Sequence, residues 1–327
     1  MSPIPETIIG HARQRNELLK DIECGNVAHA YLFSGREHLG KFTIARWFAW
    51  QLLSAHLPSD ERGTVKDQIE RLIHPDFLCV DLLWIEKIQE DWSVISKTSN
   101  IPQAHRSKEK PAKTDQISVD DVHALLGRLA DSRTSPYCCC IVRSVERMGR
   151  EAANAFLKTL EEPPSKTVFL LTTDMEQSLL PTVVSRTRVV RFSPLPEREL
   201  RPLLEGYAEE DAGFILHLAN GAPGLLIELL ENPESLRRHK QLHSQARQFW
   251  QTRSLKDRLV TLMTVAERKT NADDLILHLG LALRELKDTP EKPQWTQFYT
   301  ALIRGMETNA HRGLLLERFA LAVTEER

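Results

Sequence analysis

The sequence predicts an α/β domain followed by a nearly all-helical C-terminal part, and three observations predict it. Five short apolar runs fall within residues 1–195; stretches with helical spacing separate them; after Pro194 and Pro196 such runs stop. The runs are Ala30–Phe33, Phe77–Leu82, Cys138–Val142, Val168–Thr172 and Val189–Phe192. Four of them are continuously apolar, as in a parallel sheet whose two faces are both covered.

Each remaining element follows from local pattern. Helices are expected over Phe42–Ser54, Val119–Leu129 and Ala152–Leu160, so that strands and helices alternate through residues 1–195. From about Glu86 to Gln116 the chain is polar and patternless, which reads as a solvated insertion loop over 86–116. Its basic cluster, Arg106, Lys108, Lys110 and Lys113, leaves a functional basic patch open. Residues 196–235 read as a small helical lid, with helices over Glu197–Asn220 and Leu225–Leu230 and a break at Gly221, Pro223 and Gly224. Residues 236–327 read as a C-terminal helical domain interrupted around Asp288–Pro293.

Composition narrows the function classes. Lys plus Arg is 43 against 45 for Asp plus Glu, a net charge of −2, so autonomous tight binding to duplex DNA is not suggested. Five cysteines, Cys24, Cys79 and Cys138–Cys140, include no C-x-x-C pair, which argues against a zinc cage and a disulfide framework. They read as small buried apolar residues in a reducing cytosol, and no metal site is expected. The segment MSPIPETIIG shows no signal peptide, and no window reaches the roughly 18 apolar residues of a membrane span.

Gly35-Arg-Glu-His-Leu-Gly40-Lys41-Phe42 follows GxxxxGK(S/T) at every position except the last, between an apolar strand and a helix. Gly35 and Gly40 allow the turn that aims backbone N–H groups at phosphates, and Lys41 could reach the β and γ phosphates. Phe42 cannot supply the hydroxyl that ligates Mg²⁺. Thr43 is no substitute, because one helical residue rotates a side chain by about 100°. The strand Cys138–Val142 should end in an acid for Mg²⁺ and a glutamate for water, yet the sequence continues Arg143-Ser144-Val145-Glu146. Arg143 puts positive charge where the metal belongs, and Glu146 reads as a surface residue beside Arg147.

Several blocks then resemble the DNA polymerase III clamp-loader family. They are His29–Gly35, Glu151-Ala-Ala-Asn-Ala-Phe-Leu-Lys-Thr-Leu-Glu-Glu-Pro-Pro164 and Leu180–Thr187, with Gly10, the Gly25–His29 approach and His74-Pro-Asp76, in the family's order over about residues 8–225. The resemblance implies an AAA+ module over 1–195, a lid over 196–235 and a collar domain over 236–327. The chain departs from competent members in its phosphate loop, its strand end and the cysteine-free stretch Ala55–Ile73, where the family carries a zinc module. It also has Gly221-Ala-Pro-Gly-Leu225 where the family's lid carries an arginine. Such losses are common in delta-prime type subunits, so little or no intrinsic ATPase activity is expected.

Ser185-Arg186-Thr187 resembles the family's SRC motif, which implies that Arg186 is an arginine finger offered to a neighbouring subunit's ATP site. The plainer reading is a surface arginine capping the helix before the fifth strand. Thr172 and Thr173 stand where the family keeps a sensor, and read here as strand-terminal hydroxyls; Glu161, Glu162 and Lys158 read equally as interface residues or as a solvated helix end. The resemblance implies a ring with gamma/tau-like ATPase subunits and a delta subunit, acting on a sliding clamp and primed DNA in the bacterial cytoplasm. No cofactor is required, and weak ATP or ADP binding at Gly35, Gly40 and Lys41 without Mg²⁺-dependent hydrolysis stays open. A weakly active ATPase subunit, a stand-alone DNA-binding module and a scaffold outside replication are the alternatives.

Overall fold

The computed structural model describes residues 4, 8–80, 99–101, 116–130, 133–266, 269–287, 290–306, 308 and 310–325. The basic cluster at Arg106–Lys113 lies outside the described residues, as does nearly all of the expected insertion loop. The chain divides into two compact units, Met1–Leu225 and Leu226–Arg327.

In the first unit, α1 (Ala12–Glu23), β1 (Ala30–Ser34), α2 (Lys41–Ser54), α3 (Arg62–Glu70) and β2 (Phe77–Val80) come first. They are followed by α4 (Val119–Leu129), β3 (Cys138–Val142), α5 (Arg150–Glu161), β4 (Thr167–Thr173), α6 (Pro181–Val184) and β5 (Arg188–Arg191). Among the described residues the strands form one parallel sheet in the order β2-β3-β4-β1-β5.

Alternation along each strand divides two apolar cores between the faces of this sheet. Tyr31, Phe33, Cys139 and Ile141 enter one core with Ile44, Phe48 and Leu52 of α2. Leu32, Cys138, Cys140 and Leu171 enter the other with Leu125 of α4 and Phe156 and Leu160 of α5. The three consecutive cysteines therefore pack on both faces as small apolar groups, and burial pushes the Cys138 thiol up to about 11. α4 starts where it does because Ser118 and Asp121 form a reciprocal capping box.

The segment after β5 differs from the expected single helix over Glu197–Asn220. A short helix α7 (Glu197–Leu200) and a 3₁₀ turn (Arg201–Leu204) come first, and α8 spans Glu209–Ala219. Gly206, with φ +92°, breaks the helix between them. The expected break at Gly221–Gly224 is shorter than the sequence suggested, because α9 (Pro223–Glu231) begins on Pro223. A proline is at home in a first helical turn, where its missing N–H has no helical partner anyway.

The second unit holds α10 (Pro233–Gln251), α11 (Leu255–Ala266), α12 (Lys269–Glu285), α13 (Lys292–Met306) and α14 (Arg312–Glu325). The interruption expected at Asp288–Pro293 ends before Lys292, which opens α13. Its core stacks Trp250 on Trp295 at 5.4 Å, and Trp250 Nε1 donates to the Leu279 carbonyl at 2.9 Å. Arg258 is fully buried and donates to the Thr252 carbonyl and the Thr324 hydroxyl, tying α11 to α14. No helix among the described residues is long and apolar enough to cross a membrane.

Candidate nucleotide site and its outward edge

In a parallel sheet of this kind, the C-terminal strand ends gather the groups that can do chemistry. The loop after β1 keeps the phosphate-cradle backbone. Gly35 has φ +154°, and a Cβ on it would lie 2.6 Å from the Phe192 carbonyl oxygen, so glycine is required there. Gly40 has φ +83° and caps α2, whose first N–H groups face the loop.

Lys41 is buried and already engaged. Its Nζ donates to the Gly35 carbonyl at 2.6 Å and the Arg36 carbonyl at 2.5 Å, and pairs with Asp174 Oδ1 at 2.6 Å. Asp174 follows β4 directly, and β4 lies between β1 and β3, which brings its carboxylate to the loop. The sequence reading missed Asp174. Its signal was positional, a charged residue at the end of the strand that pairs with β1.

Two guanidinium groups lie against the Phe42 ring. Arg143, the residue after β3, holds its guanidinium carbon 5.0 Å from the centre of the Phe42 ring, and buried Arg46 lies 5.7 Å from the same ring. The replacement for the hydroxyl and the replacement for the acid are thus in contact, as a cation–π pair. A guanidinium offers five donors and no acceptor, so this arrangement supplies no ligand to Mg²⁺. Among the described residues no group of His, Cys, Asp and Glu side chains is placed to hold a metal ion.

Glu146 departs from its expected place on the surface. It lies in a 3₁₀ turn (Val145–Arg147), is half-buried, and its Oε1 accepts from the Asp174 N–H at 3.4 Å. Thr172 and Thr173 are buried strand-end hydroxyls that accept from the Ser144 and Met175 N–H groups at 3.0 and 3.1 Å. Leu225 packs its side chain on the first core. One residue earlier, the Gly224 N–H donates to the His38 carbonyl of the loop at 2.8 Å. A Cβ on Gly224 would meet that same carbonyl at 2.8 Å, so glycine permits this close approach.

His11 was also missed. It is buried beside the loop, with its ring edge-on to Phe192 at 4.9 Å, and burial lowers its pKa. Its backbone is left-handed, at φ +52°.

Arg186 pairs with Glu161 at the end of α5. Arg186 Nη2 contacts Glu161 Oε1 at 2.6 Å, and Nη1 donates to the Thr182 carbonyl at 3.0 Å. In the chain by itself Arg186 thus caps the last turn of α6, and about a third of its side chain is exposed (34%).

A family described as DNA polymerase III, delta subunit, matches residues 10–196. The DNA polymerase III subunit gamma/tau of Mycobacterium bovis is 28% identical over 233 residues, which cover 68% of this chain and 36% of that protein. The DNA polymerase III subunit delta′ of Bacillus subtilis is 26% identical over 221 residues, 66% of this chain and 58% of that protein. The chain therefore spans about a third of the gamma/tau relative and somewhat over half of the delta′ relative. A crystal structure of a gamma subunit-related protein from Thermotoga maritima matches with a TM-score of 0.51 at 21% identity, over 95% of this chain and 99% of the other. That likeness shows the fold.

Proposed function

The chain belongs to the DNA polymerase III delta-subunit family of AAA+ clamp-loader subunits, and from that premise we propose that it is a delta-prime-like subunit that does not hydrolyse ATP itself. It assembles with gamma/tau-like ATPase subunits and a delta subunit, helps to place a sliding clamp on primed DNA, and offers Arg186 to a neighbour's ATP site. It works in the bacterial cytoplasm and requires no cofactor of its own. The observation that carries this reading is the contact of Arg143 with Phe42 at 5.0 Å. Two groups needed to hold and use Mg²⁺ have been replaced by a pair that stabilises itself instead.

Arginine suits the exported role, because its planar charged fork can hold a transferring phosphoryl group. The experiment for the local site is steady-state ATP turnover by the isolated chain against a Lys41→Ala control. Equal rates are expected. Turnover about tenfold above that control, a difference of about 1.4 kcal/mol in barrier, overturns the non-hydrolysing reading.

Nucleotide held without hydrolysis is a second reading, favoured by the glycine-specific backbone at Gly35 and Gly40. Against it stands the ion pair of Lys41 with Asp174, which a phosphate would have to displace.

A further inference from the structure

We propose that Glu161 is a positioning residue for Arg186, an inference that rests on the finger reading of Arg186 given above. The two side chains meet at 2.6 Å, from the end of α5 and from just beyond α6. Neither end is free to drift. Leu160 beside Glu161 and Val183, three residues before Arg186, are buried in the same apolar cluster. The pair therefore bridges two elements whose separation is set by core packing and not by a loop.

Its value to the isolated fold is small, because both side chains are substantially exposed, at 34% and 50%, and such pairs are weakened by solvent and salt. Its geometric effect is larger. Nη2 is held by Glu161 and Nη1 by the Thr182 carbonyl. Of the five N–H donors of a guanidinium, three are then left for an outside acceptor. A long side chain fixed at two points has already lost most of its rotamer freedom before it meets a phosphate. Catalytic groups held this way act without reorganising at the moment of reaction.

Lys158, one turn before Glu161 on α5, and Glu162 next to it are both exposed, while the side-chain partners of Arg186 are Glu161 and the Thr182 carbonyl. The chemistry therefore falls on the single carboxylate of Glu161. It touches no nucleotide in this proposal and acts only through Arg186.

The test uses the full chain reconstituted with the ATPase subunits, with native mass checked to show that assembly is intact. Clamp- and primed-DNA-stimulated ATP hydrolysis is measured for wild type, Arg186→Ala, Glu161→Gln, Glu161→Asp and the double variant Glu161→Gln/Arg186→Ala. Glu161→Gln is expected to lower kcat about tenfold while KM for ATP changes by less than about twofold, since orientation and not binding is lost. Glu161→Asp, which keeps the charge one methylene short, is expected to fall between. In the Arg186→Ala background, Glu161→Gln is expected to have no further effect.

The proposal is overturned if Arg186→Ala collapses the rate while Glu161→Gln leaves kcat unchanged or raises it. It is overturned equally if the Glu161→Gln loss persists in full without Arg186, because Glu161 would then act by some other route. If Arg186→Ala itself changes nothing, the finger reading has failed and the positioning role falls with it.

Discussion

Two charged sites on one α/β domain differ in where their charge is spent. Lys41 is buried and bound by two carbonyls of its own loop and by Asp174, while Arg143 faces the Phe42 ring. Arg186 is bound at two points and remains a third exposed. The first site has turned inward, with its cations neutralised or stacked. The second uses two of its five N–H donors within the chain, on Glu161 and the Thr182 carbonyl. On the proposed reading the two sites can change independently, because Lys41 and Arg143 are held at the ends of β4 and β3 while Arg186 is held from α5 and α6.

The largest effect expected from this contrast is at Arg186. In the reconstituted assembly Arg186→Ala should lower the partner subunits' ATP hydrolysis by about 10³-fold, the lower end for fingers supplied across an interface, or ~4 kcal/mol of barrier. Lys41→Ala in the same assembly should leave that rate within about twofold, since Lys41 is placed to serve no site but its own. A steady-state ATPase assay of both variants decides the matter. Equal losses for the two would break the contrast.

The inward site was only partly legible in the sequence. β3 and α4 have the expected bounds, Cys138–Val142 and Val119–Leu129, because a continuous apolar run and a strong cap are local signals. Phe42 and Arg143 were legible as departures from a motif for the same reason, each being read against a fixed motif position. Their contact was not legible, nor was the pairing of Lys41 with Asp174. Both depend on a strand order in which β4 lies between β3 and β1, and no local pattern encodes that order. Glu146 was misread as a surface residue because the turn after β3 folds back toward the end of β4. Gly206 ended a helix that hydrophobic spacing alone would have continued. Pro223 was read as a break when its place in the chain makes it a start.

A smaller effect sharpens what the inward loop now does. Gly35→Ala would put a Cβ 2.6 Å from the Phe192 carbonyl, and backbone can yield little there. The variant should lose about 1–3 kcal/mol of stability by denaturant unfolding, as overpacked positions do. If the loop is now architectural, the assembled complex should keep its ATPase rate at temperatures where the variant stays folded. A selective loss of rate in a folded variant would return the loop to a functional role.

Acid should destabilise the first unit. Burial lowers the pKa of His11 beside the loop and of His74 before β2. Each contributes its full stability above the unfolded histidine value of about 6.5, and that stability is lost as pH falls through the lower folded value. Unfolding midpoints should therefore drop on moving below about pH 6.5. His11→Asn keeps a residue that tolerates the left-handed backbone and removes the titrating ring, so it should flatten this dependence. An unchanged slope in that variant would place the titration elsewhere.

The smallest change expected is the response of nucleotide binding to Mg²⁺. A phosphate loop normally presents a hydroxyl to the metal, and the neighbouring strand an acid, so that Mg²⁺ bridges protein and phosphates. Here the hydroxyl position is the Phe42 ring and the acid position is the Arg143 guanidinium, stacked on one another. Titrating the chain with ATP in EDTA and again in excess Mg²⁺ should give dissociation constants within about twofold, with free ATP the tighter ligand because Arg143 adds a positive charge. The double variant Phe42→Thr/Arg143→Asp restores a hydroxyl and a carboxylate together. It should bind ATP about tenfold more tightly with Mg²⁺ than without, a shift of ~1.4 kcal/mol. If the natural chain already shows that tenfold preference, the metal side of the site is intact, and the stacked pair must open to admit Mg²⁺.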